Sequence, residues 1–338
     1  MTTYQVTVAD TGIGFPCEAD QTVLEAAESA GYTIPYSCRK GVCSTCEGGL
    51  TSGRAEIRGR GPVEGPADGV LLCRTRPRSD LAIAPTSISE RGRRPARRTL
   101  TVKVHRITRP TPDVVVLQLR LPTGQRAAFT AGQYLKVLLP DGDSRNYSMA
   151  NPPHQNDSVQ LHIRVVPGGR FSDGILPGLD KGDPLTVELP YGEFSLGTES
   201  YRPAVLLATG TGFAPVKSMV EDQLRRRADR PLHLYWGVRR EEDLYLRDLA
   251  AGWAARAPWF GFTPVLSEPG PGWTGRTGWV HRAVLADHPD LAGHEVYACG
   301  SPAMTAAARD DFVTLGALAP DSFHSDAFVS SGEPAPVG

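Results

Sequence analysis

Cys38-Arg-Lys-Gly-Val-Cys43-Ser-Thr-Cys46, followed 27 residues later by Cys73, spaces four thiols as Cys-x4-Cys-x2-Cys with a distant fourth. This is the plant-type spacing with which four thiolates surround the compact rhomb of a 2Fe–2S cluster. Loop N–H groups must point at the sulfides, so the backbone has to run close and irregular. Residues 39–46 supply small side chains for this, and Gly41 permits a positive φ. A structural zinc ion also takes four thiolates, but zinc knuckles and ribbons usually pair one Cys-x2-Cys with a second. Cys73 stands alone, which favours the cluster. Cys17 lies outside the pattern on an expected strand and reads as a small buried hydrophobe.

Working outward, Tyr4-Gln-Val-Thr-Val8 alternates at period two and is answered after a turn by Gly14-Phe-Pro-Cys17, which predicts a hairpin. Thr22-Val-Leu-Glu25 is a capping box, Val23, Leu24 and Ala27 share a helical face, and Gly31 suits the left-handed position beyond the helix. On the far side, Arg91-Gly-Arg-Arg-Pro-Ala-Arg-Arg98 holds five arginines without apolar periodicity and reads as a solvated linker rather than a nucleic-acid contact. Removing it leaves three charge-balanced blocks, 1–90, 99–199 and 200–330, and a flexible tail, 331–338. The second block has closely spaced strands, Thr99–Val104, Val114–Leu119, Gln133–Leu139 and Val159–Val165, which predict an antiparallel barrel. The third alternates strand and helix, from Ala204–Ala208 through a helix over Pro215–Arg227 and a strand Leu232–Trp236 to Glu295–Cys299, as a parallel sheet with crossovers does.

A chain of 338 residues accommodates two to three domains. Its composition is that of a soluble globular protein, with no apolar run near the roughly 20 residues of a membrane span. The opening Met1-Thr-Thr-Tyr-Gln-Val has neither the basic stretch nor the apolar core of a secretory signal, so a cytoplasmic location with reduced thiols is expected. A net charge of −1 excludes a general nucleic-acid or anionic-membrane footprint.

Two further signatures follow the cysteines. Arg145-Asn-Tyr147-Ser148 comes after the turn Asp141-Gly-Asp143, and Pro167-Gly168-Gly169-Arg170-Phe171-Ser172 follows. An arginine can fork onto a flavin dinucleotide's diphosphate, a tyrosine ring can pack against the isoalloxazine, and a serine hydroxyl can bond the N5 through which hydride passes. The glycines and serine at an expected helix start offer N–H groups to the pyrophosphate. Next, Thr209-Gly210-Thr211-Gly212-Phe213-Ala214-Pro215 joins a strand to a helix where a parallel sheet receives a dinucleotide. Arg239, after the second strand, either pairs with an NADPH 2′-phosphate or answers Glu241, Glu242 and Asp243. Cys299-Gly300 ends a late strand, where the thiol either lines the nicotinamide pocket or packs in the core.

Together these residues resemble the ferredoxin–NADP reductase superfamily, in the arrangement with a fused N-terminal ferredoxin found in reductases of bacterial ring-hydroxylating oxygenases. CDP-6-deoxyhexose reductases look similar. Pro35–Gly41, Ser144–His154, His162–Ser172 and Phe323–Phe328 carry the likeness. It implies a multidomain α+β and α/β chain: a β-grasp 2Fe–2S ferredoxin domain, an antiparallel β-barrel FAD domain and a Rossmann-like NAD(P) domain. It implies that Arg145, Tyr147, Ser148, His162, Ile163, Arg164, Gly169, Arg170, Phe171 and Ser172 hold FAD. Gly210, Thr211, Gly212, Pro215, Arg239, Cys299 and Gly300 would serve NADPH or NADH, with Asp326 and Phe328 closing over the flavin and Tyr147, Ser148 and Cys299 nearest the reacting atoms. Cys38, Cys43, Cys46 and Cys73 would ligate the cluster. The implied partner is a Rieske-type terminal oxygenase that accepts electrons transiently, and a CDP-sugar dehydratase is the other acceptor. Residues 61–69, rich in Gly and Pro, vary in length within the family.

Overall fold

The computed structural model describes residues 2–41, 44–90, 95–197 and 200–329. Cys43, linker residues 91–94 and the tail 331–338 lie outside the described residues. Contacts divide the chain into two compact units, the first ending at Arg94 and the second beginning at Pro95. The break falls within the expected linker, and the second unit's first strand begins at Arg98.

In the first unit the hairpin forms as read, Thr3–Val8 against Gly14–Glu18. A five-stranded mixed sheet runs in the order Gly14–Glu18, Thr3–Val8, Leu81–Pro85, Glu47–Ser52, Ala67–Leu71. Helix Val23–Ser29 is capped by Thr22, whose hydroxyl accepts from the Glu25 amide while the Glu25 carboxylate accepts from the Thr22 amide. Its buried face, Val23, Leu24, Ala26 and Ala27, packs with Val6, Phe15, Leu50 and Ile83. This is the β-grasp arrangement. Cys17 belongs to that core, and burial with help from Glu25 and Glu18 pushes its thiol up to about 12.

In the second unit six antiparallel strands run in the order Ser144–Ser148, Tyr134–Leu138, Pro184–Tyr191, Arg98–Thr111, Val114–Arg120, Ser158–Arg164. A bridge from Met149 to Leu161 joins the two edges and closes the barrel. Two of these strands go beyond the sequence reading. Ser144–Ser148 shows no alternation of burial, and Pro184–Tyr191 holds two prolines, which argue against a strand.

The remaining sheet is wholly parallel, ordered Arg276–Thr277, Phe260–Leu266, Leu232–Val238, Ala204–Thr209, Glu295–Gly300, Phe323–Ala327. Leu206 and Ala208 face Phe213, Val216 and Trp253 on one side, while Val205 and Leu207 face Val284, Ala308 and Phe312 on the other. Helices Phe213–Arg226 and Arg247–Arg256 therefore cover one face, and Val280–Asp287 and Pro302–Thr314 the opposite one. The expected helix begins at Phe213 rather than Pro215, since proline is tolerated in a first turn. Strand order reverses at Ala204–Thr209, which lies between the second strand and Glu295–Gly300, and the crevice beyond these carboxyl ends is where such sheets take ligands. Among the described residues no helix is long and apolar enough to cross a membrane.

On this last domain His233 stacks on Tyr235 (4.4 Å), meets His288 edge-on (5.7 Å) and bonds the Thr263 hydroxyl (2.8 Å), and His288 in turn meets His294 (5.4 Å). Burial, then the neighbouring His288, lowers His233 from 6.5 to about 4. The unfolded chain therefore takes up this proton first, so stability falls as pH drops from about 6.5 to about 4 and levels off below. Denaturant unfolding of the parent and His233→Gln across that range should show the variant's curve to be flatter; parallel curves would mean that His233 titrates alike in both states.

Candidate functional site

The cluster loop is shaped by backbone that ordinary residues avoid. Arg39 (φ 53°), Gly41 (φ 74°) and Ser44 (φ 52°) all lie in the left-handed region. A β-carbon on Gly41 would stand 2.9 Å from Arg74 Cγ, so the loop is wound directly against the residue after Cys73. Arg74 holds it there, donating to the Lys40 carbonyl (2.9 Å) and, through Nε and Nη2, to the Arg58 carbonyl (3.0 and 2.8 Å). Arg39 lies over the Tyr36 ring at 4.0 Å and pairs with Glu28. Cys38, Cys46 and Cys73 are buried, and the Lys40 amide donates to the Cys38 sulfur at 3.3 Å. Buried thiols on a loop that turns an N–H toward sulfur fit an iron–sulfur cluster. The contribution of Arg74 was missed, although its place next to Cys73 was a signal.

On the barrel, Arg145 and Tyr147 stand on the strand that follows the Asp141–Asp143 turn. Arg145 Nη1 donates to Asp143 (2.7 Å) and to the Ser144 carbonyl (2.8 Å), leaving Nε and Nη2 without a hydrogen-bond partner among the described residues. Arg170 pairs with Asp141 and Asp143, which brings both arginines to one acidic turn. The Tyr147 ring rests on Phe171 (5.6 Å), and burial raises its phenol well above 10, so it stays protonated. A β-carbon on Gly169 would lie 2.6 Å from Ser172 Oγ and 2.8 Å from the Val166 carbonyl, so the chain there is bare by necessity. An aromatic wall, an arginine edge open to a ligand and a bare glycine turn fit a flavin dinucleotide. Ile163 points into the barrel core, so only its main chain can meet a cofactor, and Arg164 is exposed beside Asp113 (3.4 Å).

At the switch point the strand ends nearly touch. A β-carbon on Gly212 would stand 2.2 Å from the Cys299 carbonyl oxygen, and one on Gly300 would stand 1.9 Å from Thr209 Oγ1. Gly210 is left-handed (φ 52°), and its carbonyl accepts from Trp236 Nε1 (3.0 Å), whose indole stacks on Phe213 (4.0 Å). Thr211 is buried in the turn, and Pro215 in the first turn of the helix that follows. The Cys299 side chain lies in the core with Ala208, Phe213 and Trp236, and burial, then Asp326, raises its thiol well above 9. Arg239 makes no ion pair with the acids after it: Glu241 pairs with Arg247, and Asp243 accepts from the Arg240 amide.

Barrel and sheet pack together through Phe194 on Tyr297 (6.1 Å), and polar side chains join them at three further places. Ser148 Oγ donates to Asp326 (3.4 Å), which sits beside Cys299 in the next strand, and the Phe328 amide donates to the Gly300 carbonyl (2.7 Å). His162 Nδ1 bonds Tyr245 Oη (2.8 Å); burial, then Lys217, lowers this histidine from 6.5 to about 3, so the ring is neutral. Lys217 Nζ donates to the Ala150 carbonyl (3.2 Å), and Ser218 to that of Asn151 (2.8 Å). Tyr245, Lys217 and Ser218 carried no sequence signal. His162 is thus spent on the join between domains.

Three domain families match in the order the geometry requires: "2Fe-2S iron-sulfur cluster binding domain" over residues 6–78, "Oxidoreductase FAD-binding domain" over 101–196 and "Oxidoreductase NAD-binding domain" over 206–310. The chain is 41% identical over 335 residues to the terephthalate 1,2-dioxygenase reductase component 1 of Comamonas sp, covering 97% of this chain and 98% of that one. It is 40% identical over 323 residues to the CDP-6-deoxy-L-threo-D-glycero-4-hexulose-3-dehydrase reductase of Yersinia pseudotuberculosis, covering 95% and 97%. The crystal structure of the Amycolatopsis cytochrome P450 reductase GcoB superposes with a TM-score of 0.77 at 33% identity, covering 96% of this chain and 99% of that one. The chain belongs to the ferredoxin–NADP reductase superfamily, in the branch with a fused plant-type 2Fe–2S domain. It is an NAD(P)H-dependent iron–sulfur flavoprotein oxidoreductase.

Gly212→Ala must push the glycine loop off the Cys299 strand, an overpacking that costs about 1–3 kcal/mol. Thermal unfolding should fall by roughly 2–10 °C, while Gly178→Ala, with open space around it, should leave the midpoint within a degree or so; an unshifted Gly212→Ala would refute the close approach.

Proposed function

We propose that the chain is the reductase component of a bacterial ring-hydroxylating dioxygenase, with terephthalate 1,2-dioxygenase as the system. In this reading it passes electrons from NADPH or NADH, through FAD and the 2Fe–2S cluster, to a Rieske-type terminal oxygenase in cytoplasmic aromatic catabolism. The observation that carries it is the Ser148–Asp326 contact, which brings the flavin strand and the strand beside Cys299 to one junction. FAD, when bound, supplies the conversion between a two-electron nicotinamide donor and a one-electron cluster.

This chain's residues do the rest. Arg145, with Arg170, Gly169 and Ser172 near it, would hold the diphosphate, Tyr147 would pack on the isoalloxazine and Ser148 would bond N5. Gly210–Gly212 would admit the nucleotide backbone, Arg239 would read a 2′-phosphate, and Asp326 and Phe328 would close the junction. Cys38, Cys43, Cys46 and Cys73 would hold the cluster, and residues 1–90, 99–199 and 200–330 form the three working domains. A second reading, reductase to a CDP-sugar dehydratase, is favoured by the near-equal identity of the Yersinia relative.

The test is anaerobic titration with NADPH and NADH, followed by optical and electron-paramagnetic spectra, then addition of a terephthalate dioxygenase oxygenase component. Bleaching and reoxidation with diol formation is expected. Bleaching without delivery to that oxygenase, but with delivery to the dehydratase, would select the second reading. Cys46→Ala should keep most ferricyanide reduction and lose reduction of the protein acceptor; equal loss of both would overturn the order of electron flow. Arg239→Ala should raise the NADPH KM about tenfold, the loss of one charge-assisted contact, and leave the NADH KM nearly unchanged. An equal rise would remove Arg239 from 2′-phosphate recognition.

A further inference from the structure

Residues 1–90 carry eight basic and eleven acidic side chains, yet residues 1–38 hold five acids and no base, so every cation of this unit falls between Arg39 and Arg78. The fold then gathers five of them at the cluster loop, of which Arg39 is already paired with Glu28. Arg39 and Lys40 follow Cys38, and Arg74 follows Cys73. Through its bonds to the Lys40 and Arg58 carbonyls, Arg74 ties the cluster loop to the turn Arg58-Gly59-Arg60. Both turn arginines are exposed. Arg60 donates only to the Gly69 carbonyl (3.4 Å), and neither guanidinium forms an ion pair among the described residues, though Glu47 lies beside Gly69. A unit of net negative charge thus presents a positive rim beside the loop that carries its cysteines.

We propose that this rim is the docking edge for an acidic face of the protein that takes single electrons from the cluster. The inference rests on the reading of the cluster as the exit for electrons. A positive edge on a net acidic unit orients an incoming acidic protein, steering it edge-first and raising the encounter rate at low ionic strength. A polyanion such as DNA or a lipid surface would instead meet the net repulsion of the whole unit.

The experiment uses the NADPH-reduced holoprotein and two one-electron acceptors of opposite charge, acidic cytochrome b5 and basic cytochrome c, with the rate remaining in Cys46→Ala subtracted. Arg58→Glu/Arg60→Glu should slow cytochrome b5 reduction roughly tenfold at low salt and speed cytochrome c reduction by a similar factor. Both differences should shrink toward unity at about 0.5 M salt, where charges are screened beyond a few ångströms. Arg58→Gln/Arg60→Gln, which adds no charge and spares the fold, should move both rates in the same directions by less. Equal changes with the two cytochromes, or none, would overturn the proposal. So would slower bleaching of the variant's own cluster by NADPH, which would assign the rim to transfer within the chain, or tight binding of duplex DNA by the parent at 0.15 M salt. A parent whose cluster NADPH never reduces would instead remove the electron-exit reading itself.

Discussion

Only hydrogen fits between the Gly212 α-carbon and the carbonyl of Cys299, or between the Gly300 α-carbon and the Thr209 hydroxyl, and the nucleotide domain is organised round those two approaches. Because Gly212 can press on the neighbouring strand, helix Phe213–Arg226 starts immediately beyond it and sets Phe213 flat on Trp236. Trp236 returns a hydrogen bond to the Gly210 carbonyl, which fixes the loop from below. The same helix carries Lys217 and Ser218 to the Ala150–Asn151 main chain, so the position of the barrel follows from that of the helix. A side chain at either glycine would therefore disturb the sheet, the helix and the seating of the barrel together.

Burial holds most of the titratable side chains at this junction uncharged. His162, Tyr245 and Cys299 are all buried, and burial holds each in its neutral form, the imidazole deprotonated and the phenol and thiol protonated. Asp326, which accepts from the Ser148 hydroxyl, and Lys217, which pairs with Glu221 (2.8 Å), stand beside them. Groups so far from their ordinary titration ranges are poor proton donors or acceptors near neutral pH. They suit a place where two planar ligands meet and water is kept out, with little proton traffic asked of the protein.

How much of this was legible in the chain depended on how local each signal was. The Cys38–Cys46 spacing, the capping box at Thr22 and the glycine loop before Phe213 are short motifs whose geometry is set by neighbours in sequence, and the cap and the glycine loop form as read. The strand Ser144–Ser148 was not legible as a strand, because Arg145, Asn146 and Tyr147 are all half-buried and show no alternation. Pro184–Tyr191 alternates for half its length but is bracketed by prolines, which hide it. His162 was marked for the flavin, yet its ring bonds Tyr245, 83 residues away. No local pattern announces such a partner.

The division of the chain follows the chemistry it serves. The FAD-binding and NAD-binding domains share one unit, fastened by the Ser148–Asp326, His162–Tyr245 and Lys217–Ala150 contacts, which suits a two-electron transfer, since that needs reacting atoms held in a near-attack geometry. The cysteine loop belongs to a unit with its own closed core, from Val6 and Phe15 to Leu72 and Ile83. Passing one electron at a time makes no bond and demands no such alignment. A cluster can therefore sit in a separately folded module whose surface answers to a different requirement, recognition of whatever accepts the electron next.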